Sequence, residues 1–173
     1  REVLPHLAEW EAAGSVPLAL HRRTAEAGLL GIGFPESVGG SGGTPVDAFV
    51  VAEELILSGG SSGLVAALFT HGIGLPHLVT AGDPALVDRV ARPVLAGERI
   101  VSLAITEPDG GSDVAGIRTR AVVDGDDYVV SGAKLYITSG TRADFITTAV
   151  RTGGDGAGGI SLLVIDSSAP GVT

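Results

Sequence analysis

The spacing of apolar residues changes near residue 98 of this chain. Before that point apolar residues recur three and four positions apart, which is typical of amphipathic helices. After it, β-branched and aromatic residues gather in short runs separated by turn residues, which predicts strands. The chain is therefore predicted to be α+β, with an all-α helical domain at residues 1–97 and a β-domain at residues 98–173.

Start and stop residues predict five helices in the first domain. Ser15 is expected to cap the second helix, with Pro17 in its first turn. Thr44, Ser61 or Ser62, and Asp83 are expected to start the third, fourth and fifth helices. The five predicted helices lie between residues 3 and 14, 15 and 28, 44 and 59, 61 and 72, and 83 and 97.

Short runs separated by turns favour an antiparallel sandwich or barrel in the second domain. Asp124 followed by Gly125 predicts a hairpin between two of these runs. The six predicted strands are Arg99–Thr106, Thr119–Asp124, Tyr128–Val130, Lys134–Thr138, Phe145–Arg151 and Ile160–Ile165.

Composition and charge narrow the possible functions. The chain has 173 residues, a net charge of −9 and a mean hydropathy of +0.40. The acidic balance argues against nucleic-acid binding. The lack of cysteine excludes disulfides and thiolate metal sites. No apolar run reaches the ~18 residues of a membrane span. All basic residues except Lys134 are arginine, which suggests a GC-rich bacterium; with no targeting segment visible, we expect a cytoplasmic protein.

The abundant glycines and the four histidines match no known ligand motif. Gly31-Ile32-Gly33 lacks the third glycine of a dinucleotide fingerprint, and no lysine follows the loop Gly39–Gly43 as a P-loop would require. The histidines have neither helical pairing nor an acidic partner in ligand spacing, so no metal site is predicted.

Two segments of the β-domain carry residues suited to a cofactor. In the first, Thr106 and Ser112 bring hydroxyl groups to a turn whose glycines let an anion approach the backbone. In the second, Tyr136 and Thr138 are expected on one face of a strand, an aromatic ring beside a hydroxyl. By spacing alone, an ordinary turn and a half-buried strand account for both segments.

Taken together, the two segments resemble the acyl-CoA dehydrogenase family, and the similarity extends to the glycine loop between the early helices. The family pattern runs from Thr-Glu-Pro through Gly-Ser-Asp to a Gly-x-Lys-x-aromatic-Ile-Thr strand and an Ala-Asp pair. Here it is matched by Thr106-Glu107-Pro108, Gly111-Ser112-Asp113, Gly132, Lys134, Tyr136-Ile137-Thr138, Gly140 and Ala143-Asp144.

The resemblance implies FAD as cofactor, held between the middle β-domain and a C-terminal helical bundle. Thr106 would lie near the pyrimidine edge of the flavin, and Ser112 near the pyrophosphate or the thioester arm of the substrate. Tyr136 would flank the isoalloxazine ring, and Thr138 would lie near flavin N5 and O4. The full set of implied cofactor contacts is Leu103, Ile105, Thr106, Gly111, Ser112, Tyr136, Ile137 and Thr138.

The resemblance also implies α,β-dehydrogenation of an acyl-CoA thioester. In the family a glutamate of the C-terminal region removes the α-proton, and no residue of this chain matches its motif, so no catalytic base is assigned. The chain is accordingly expected to be the N-terminal portion of a longer enzyme, inactive alone, with a truncated β-domain. Besides Ser112, the implied substrate contacts are Val65, Ala66 and Phe69 on the fourth helix. By spacing alone, packing in the helical core is the better explanation of these three.

The implied partners are an electron-transfer flavoprotein and further subunits, in a homotetramer or heterotetramer. An acyl-CoA oxidase or flavin monooxygenase of the same fold is an alternative, although Pro108 favours the dehydrogenase. A catalytically silent subunit is a second alternative, because the glutamate that would decide the question lies outside the chain. A β-sandwich binding module without flavin is the remaining alternative.

Overall fold

The structure is a computed structural model that describes residues 2–173 and divides them into two compact units. The first unit ends at Ile100, and the second is Val101–Thr173. Helices make up the first unit and a five-stranded sheet the second, so the predicted order of helical region and sheet domain is confirmed. The domain bounds 1–97 and 98–173 stay a prediction.

The helical unit consists of short helices joined by tight turns. Two of them, α5 and α6, lie in a stretch interrupted by glycine and proline that gave no helical period and was not predicted. The helices are α1 (Leu7–Ala13), α2 (Leu18–Glu26), α3 (Pro45–Leu57), α4 (Ser62–Phe69), α5 (His71–Gly74), α6 (Pro76–Ala81), α7 (Pro84–Leu86) and α8 (Arg92–Leu95), with a π-helical turn Val87–Ala91 between the last two.

Local capping explains where several helices begin. Ser61 accepts a hydrogen bond from the Leu64 N–H at 3.1 Å and so caps α4. Asp83 accepts from the Ala85 N–H at 2.8 Å and caps α7. The expectation that Ser15 caps the second helix is wrong. The N-cap residue is Pro17, whose backbone is extended, and α2 begins at the next residue.

The helical unit has a core formed where α2 and α4 meet. Val16, Leu20, Leu64 and Leu68 are buried there, and Trp10 of α1 packs against them. Burying side chains of this size stabilises each by about 1.5–3 kcal/mol relative to solvent exposure. Helix α3 contributes no buried residue.

The sheet unit contains β1 (Val101–Ala104), β2 (Arg120–Asp124), β3 (Asp127–Ser131), β4 (Phe145–Arg151) and β5 (Ile160–Asp166). Strand β4 is central: β5 lies antiparallel along its whole length, β1 pairs with its first four residues, and β2 meets its last residue. Strands β2 and β3 form the predicted hairpin, in which Gly125 adopts a φ of +62° at the turn.

The sheet differs from the prediction in two respects. The pairings of β4 with β1 and β2 are parallel, so the sheet is mixed and not wholly antiparallel. The predicted strand Lys134–Thr138 does not form, because Tyr136 and Ser139 have φ angles of +57° and +59°, which no strand accommodates. Its residues instead follow an irregular path beside β1.

Candidate functional site

The two segments singled out in the β-domain lie side by side. The Leu135 N–H donates to the Thr106 carbonyl oxygen at 2.9 Å, and the Ser102 hydroxyl donates to the Thr138 carbonyl oxygen at 2.8 Å. Residues 102–106 and 135–138 therefore run antiparallel to each other, although only the first belongs to a strand. This arrangement brings Thr106, Tyr136 and Thr138 into one strip of the sheet unit.

A tight turn follows the first segment and folds back on it. The Glu107 N–H donates to the Gly110 carbonyl at 2.8 Å, and the Gly110 N–H donates to the Glu107 carbonyl at 3.2 Å. Pro108 and Asp109 form the tip. Beyond the turn, the Cβ side of Gly111 faces the Thr106 methyl group at contact distance, so this part of the glycine segment lies next to the strip.

Tyr136 is held in a conformation that its residue type disfavours. Its φ of +57° places it in the left-handed region, which costs an L-residue roughly 1–2 kcal/mol. Its side chain is 91% exposed, so packing of the ring does not compensate for this cost. Backbone strain that persists without such compensation is concentrated at functional sites in proteins.

Several polar groups of the strip and the turn have unused hydrogen-bonding capacity. The hydroxyl groups of Thr106, Ser112 and Thr138 have no partner within residues 2–173, and neither do the N–H groups of Gly111 and Ser112. Ser112 and Thr138 are exposed, and Thr106 is half-buried. An exposed aromatic ring, together with free hydroxyl and backbone N–H groups on the same segments and the adjoining turn, can receive a flat ligand with a polar edge and an anionic extension.

The remaining predicted cofactor residues are apolar and lie on the same two segments. Leu103 of β1, Ile105 and Ile137 are all half-buried. Ile105 and Ile137 are next to residues of the strip, and Leu103 lies three residues before Thr106. The eight predicted cofactor residues therefore lie on the two segments or, for Gly111 and Ser112, directly after the turn. Their contact with a cofactor stays a prediction.

A buried ion pair behind the strip was missed by sequence reasoning. The Lys134 Nζ donates to Glu107 Oε1 at 2.9 Å, and the two side chains are only 10% and 7% exposed. Burial raises the pKa of Glu107, but hydrogen bonds from Thr119, the Arg118 N–H and Lys134 outweigh this effect and lower the pKa to about 2. The carboxylate is therefore charged at neutral pH. The signal available in the sequence was that Lys134 is the only lysine.

A second buried charge fixes the chain after the turn. Arg151 of β4 is 7% exposed, and its guanidinium donates to the carbonyl oxygens of Ala115, Ile117, Gly154 and Gly156. Five donors in a rigid fork suit such a set of carbonyl groups. Arg151 thus ties two loops of the sheet unit to its central strand.

The predicted acyl-chain residues lie on α4 of the helical unit. Val65 and Phe69 are half-buried and Ala66 is exposed. Phe69 packs against the helical core, with its ring centroid 6.0 Å from that of the buried His71. The His71 Nε2 lies 2.8 Å from the Leu30 carbonyl oxygen, and burial lowers the pKa of His71. A packing role of Phe69 is thus visible, and a role of these three residues toward an acyl chain stays a prediction.

Residues 2–173 contain neither a metal-binding cluster nor a single membrane-spanning helix. No cluster of three or more histidine, aspartate or glutamate side chains is arranged to hold a metal ion there. No single helix of that range is long and apolar enough to cross a membrane; one bent pair, Ser62–Phe69 with His71–Ala81, passes by length and composition only.

Sequence comparison identifies relatives over the whole chain. The family "Acyl-CoA dehydrogenase, N-terminal domain" matches residues 1–98, and "Acyl-CoA dehydrogenase, middle domain" matches residues 102–173. The long-chain specific acyl-CoA dehydrogenase of Sus scrofa mitochondria is 36% identical over 173 residues, which cover 98% of this chain and 40% of that protein. The chain thus spans less than half the length of this relative.

Solved structures agree with the sequence matches. A probable acyl CoA dehydrogenase from Mycobacterium abscessus is 62% identical with a TM-score of 0.97, covering 99% of this chain and 46% of that one. A glutaryl-CoA dehydrogenase from Mycobacterium smegmatis, solved in complex with FADH2, is 26% identical with a TM-score of 0.81, covering 96% and 42%. On these matches, the chain belongs to the acyl-CoA dehydrogenase family.

Proposed function

We propose that this chain supplies the N-terminal and flavin-binding parts of an FAD-dependent enzyme that dehydrogenates acyl-CoA thioesters between their α and β carbons. The observation that carries the proposal is the strip itself, in which a strained, exposed Tyr136 lies on the same two adjacent segments as the free hydroxyl groups of Thr106 and Thr138. Family membership and a relative solved with FADH2 support FAD as the ligand.

In this proposal, the residues of the strip and those around the turn contact different parts of the cofactor. Tyr136 flanks the isoalloxazine ring, and the hydroxyl groups of Thr106 and Thr138 orient its polar edge. Ser112 and the Gly111 N–H donate to the pyrophosphate or to the thioester arm of the substrate. When bound, FAD supplies the flavin ring that accepts the hydride leaving the β-carbon. Leu103, Ile105 and Ile137 line the apolar side.

No residue of this chain is proposed as the catalytic base. Glu107 is unsuited to proton abstraction, because its pKa of about 2 makes the carboxylate a very weak base and its oxygens already accept bonds from Arg118, Thr119 and Lys134. The base is proposed to lie in a C-terminal region outside this sequence.

The proposal extends to chain length, assembly and location. Val65, Ala66 and Phe69 would border the acyl chain, with Phe69 limiting its depth. The enzyme would form a homotetramer or a heterotetramer and pass electrons to an electron-transfer flavoprotein in the bacterial cytoplasm. Bacterial relatives such as the Mycobacterium abscessus protein are consistent with this location.

The visible spectrum of the purified full-length protein that contains this chain tests the proposal. We expect a flavin band near ~450 nm that bleaches anaerobically on addition of one saturated acyl-CoA from a series of graded length. A colourless protein that takes up no added FAD would contradict the cofactor. A yellow protein that no thioester bleaches would contradict the substrate class or point to a silent subunit. Rapid reoxidation by oxygen would favour an oxidase.

A further inference from the structure

The buried ion pair joins the two segments of the candidate flavin site from behind. Besides Glu107, the Lys134 Nζ donates to the Ile105 carbonyl oxygen at 2.9 Å. Ile105 belongs to the first segment and Glu107 to the turn that follows it, whereas Lys134 directly precedes the second segment. The two side chains are almost fully buried, so the attraction between their charges is screened by solvent much less than that of an exposed pair.

Glu107 fixes a third stretch of chain at the same point. Its Oε2 accepts from the Arg118 N–H at 2.8 Å, and its Oε1 accepts from the Thr119 N–H at 2.9 Å. Adjacent to the pair, the Leu135 N–H donates to the Thr106 carbonyl at 2.9 Å. One carboxylate therefore ties together the start of the turn, the segment that leaves it and the segment that carries the exposed tyrosine.

The location of the pair relative to the strip suggests a role beyond stability. Thr106 directly precedes Glu107, and Tyr136 follows Lys134 by two residues. Through these bonds, a change in the separation of the two charged groups is expected to shift Thr106 relative to Tyr136. The nearby pair of Arg118 with Asp109 cannot do this, because its side chains are 77% and 69% exposed.

We propose that Glu107 and Lys134 form a positioning pair, which sets the spacing between Thr106 and Tyr136 and thereby the affinity for the flavin without contacting it. This inference rests on the proposed function, since it takes FAD as the ligand of the strip. Hydrogen bonds to a ligand weaken steeply when donor and acceptor are displaced from their preferred distance and angle, so a spacing device of this kind has a measurable effect on affinity.

The test uses FAD titration of the flavin-free full-length protein, with circular dichroism to confirm folding. Lys134→Met removes one carboxylate contact and one carbonyl contact. Arg92→Met is a control in the helical unit that is matched in bond count, since Arg92 also bonds one carboxylate, of Asp88 at 2.8 Å, and one carbonyl, of Ser37 at 2.7 Å, at an exposed site. We expect Lys134→Met to weaken FAD binding by about tenfold or more, and Arg92→Met to leave the dissociation constant within about twofold of wild type.

A second variant guards against misfolding of the first. Glu107→Asp keeps both charges and shortens the link by one methylene, so it alters spacing without leaving a buried charge unpaired. It is expected to fold and to bind FAD more weakly than wild type. Wild-type affinity in a folded Lys134→Met or Glu107→Asp protein would overturn this inference and leave the proposed function intact. Failure of the wild type to bind FAD would instead overturn the proposed function, and the inference with it.

Discussion

Replacement of Tyr136 by glycine is expected to stabilise the protein and to weaken its binding of FAD. Tyr136 has a φ of +57°, a conformation that glycine adopts freely, so the substitution relieves roughly 1–2 kcal/mol of strain. The greater freedom of glycine in the unfolded chain opposes this by roughly 0.5–1 kcal/mol. Because the side chain is 91% exposed, almost no buried area is lost. The net gain is about 0–1.5 kcal/mol, and its midpoint of about 0.75 kcal/mol corresponds to about 1.5–3 °C in Tm.

Thermal and urea unfolding of the flavin-free protein measure the first effect, and FAD titration measures the second. Loss of the aromatic face is expected to raise the dissociation constant of FAD by about tenfold, since ring contacts of this kind contribute about 1 kcal/mol or more. Tyr128→Gly is the matched control: Tyr128 lies in extended backbone of β3, so its replacement should destabilise the protein by about 1 kcal/mol.

Two results would refute this reasoning. If Tyr136→Gly is less stable than wild type, the left-handed backbone is not a source of strain. If it is more stable but binds FAD with unchanged affinity, the strain is not retained for the flavin. Stabilisation together with weaker binding is the only combination that agrees with the proposed role of Tyr136.

Four further predictions concern acid stability, the buried arginine and substrate length. Burial lowers the pKa of His71 below 6.5, so the free energy of unfolding should lose nothing from this residue above pH 6.5 and should fall as the pH drops below that value. His71→Gln should reduce this fall in a series of urea titrations at different pH values. The pKa of Glu107 is lowered from 4.5 to about 2, so a second loss should occur as the pH falls between these values, and Glu107→Gln should remove it. Arg151→Lys cannot reproduce the bonds to four carbonyl groups and should cost about 2–3 kcal/mol in urea unfolding, whereas a loss below 0.5 kcal/mol would show that the fork is dispensable. Phe69→Ala should shift the preferred acyl-CoA toward longer chains in the flavin-bleaching assay, and an unchanged preference would remove Phe69 from the pocket.

Sequence reasoning succeeded where structure is determined by neighbouring residues. Asp83 and Ser61 start helices through bonds to N–H groups two or three residues ahead, and the turn at Gly125 requires only a glycine with positive φ. In each of these cases, all the residues that determine the feature lie within a few positions of one another in the sequence. The order of helical region and sheet domain followed from the same local patterns.

Contacts between distant residues were beyond this reasoning. Glu107 and Lys134 are 27 residues apart, and they meet only because the segment of Lys134 lies beside β1. The left-handed backbone at Tyr136 contradicts the strand that its β-forming neighbours predicted. The parallel pairing of β1 with β4 is likewise invisible to local periodicity. In each case tertiary packing overrides the local preference.

The structure of the full-length protein with FAD bound would test the central claim most directly. We predict that the isoalloxazine ring lies against Tyr136, with its polar edge within hydrogen-bonding distance of the Thr106 or Thr138 hydroxyl group and the pyrophosphate near Ser112. A flavin bound elsewhere, with the Tyr136 ring still free in solvent, would contradict the account.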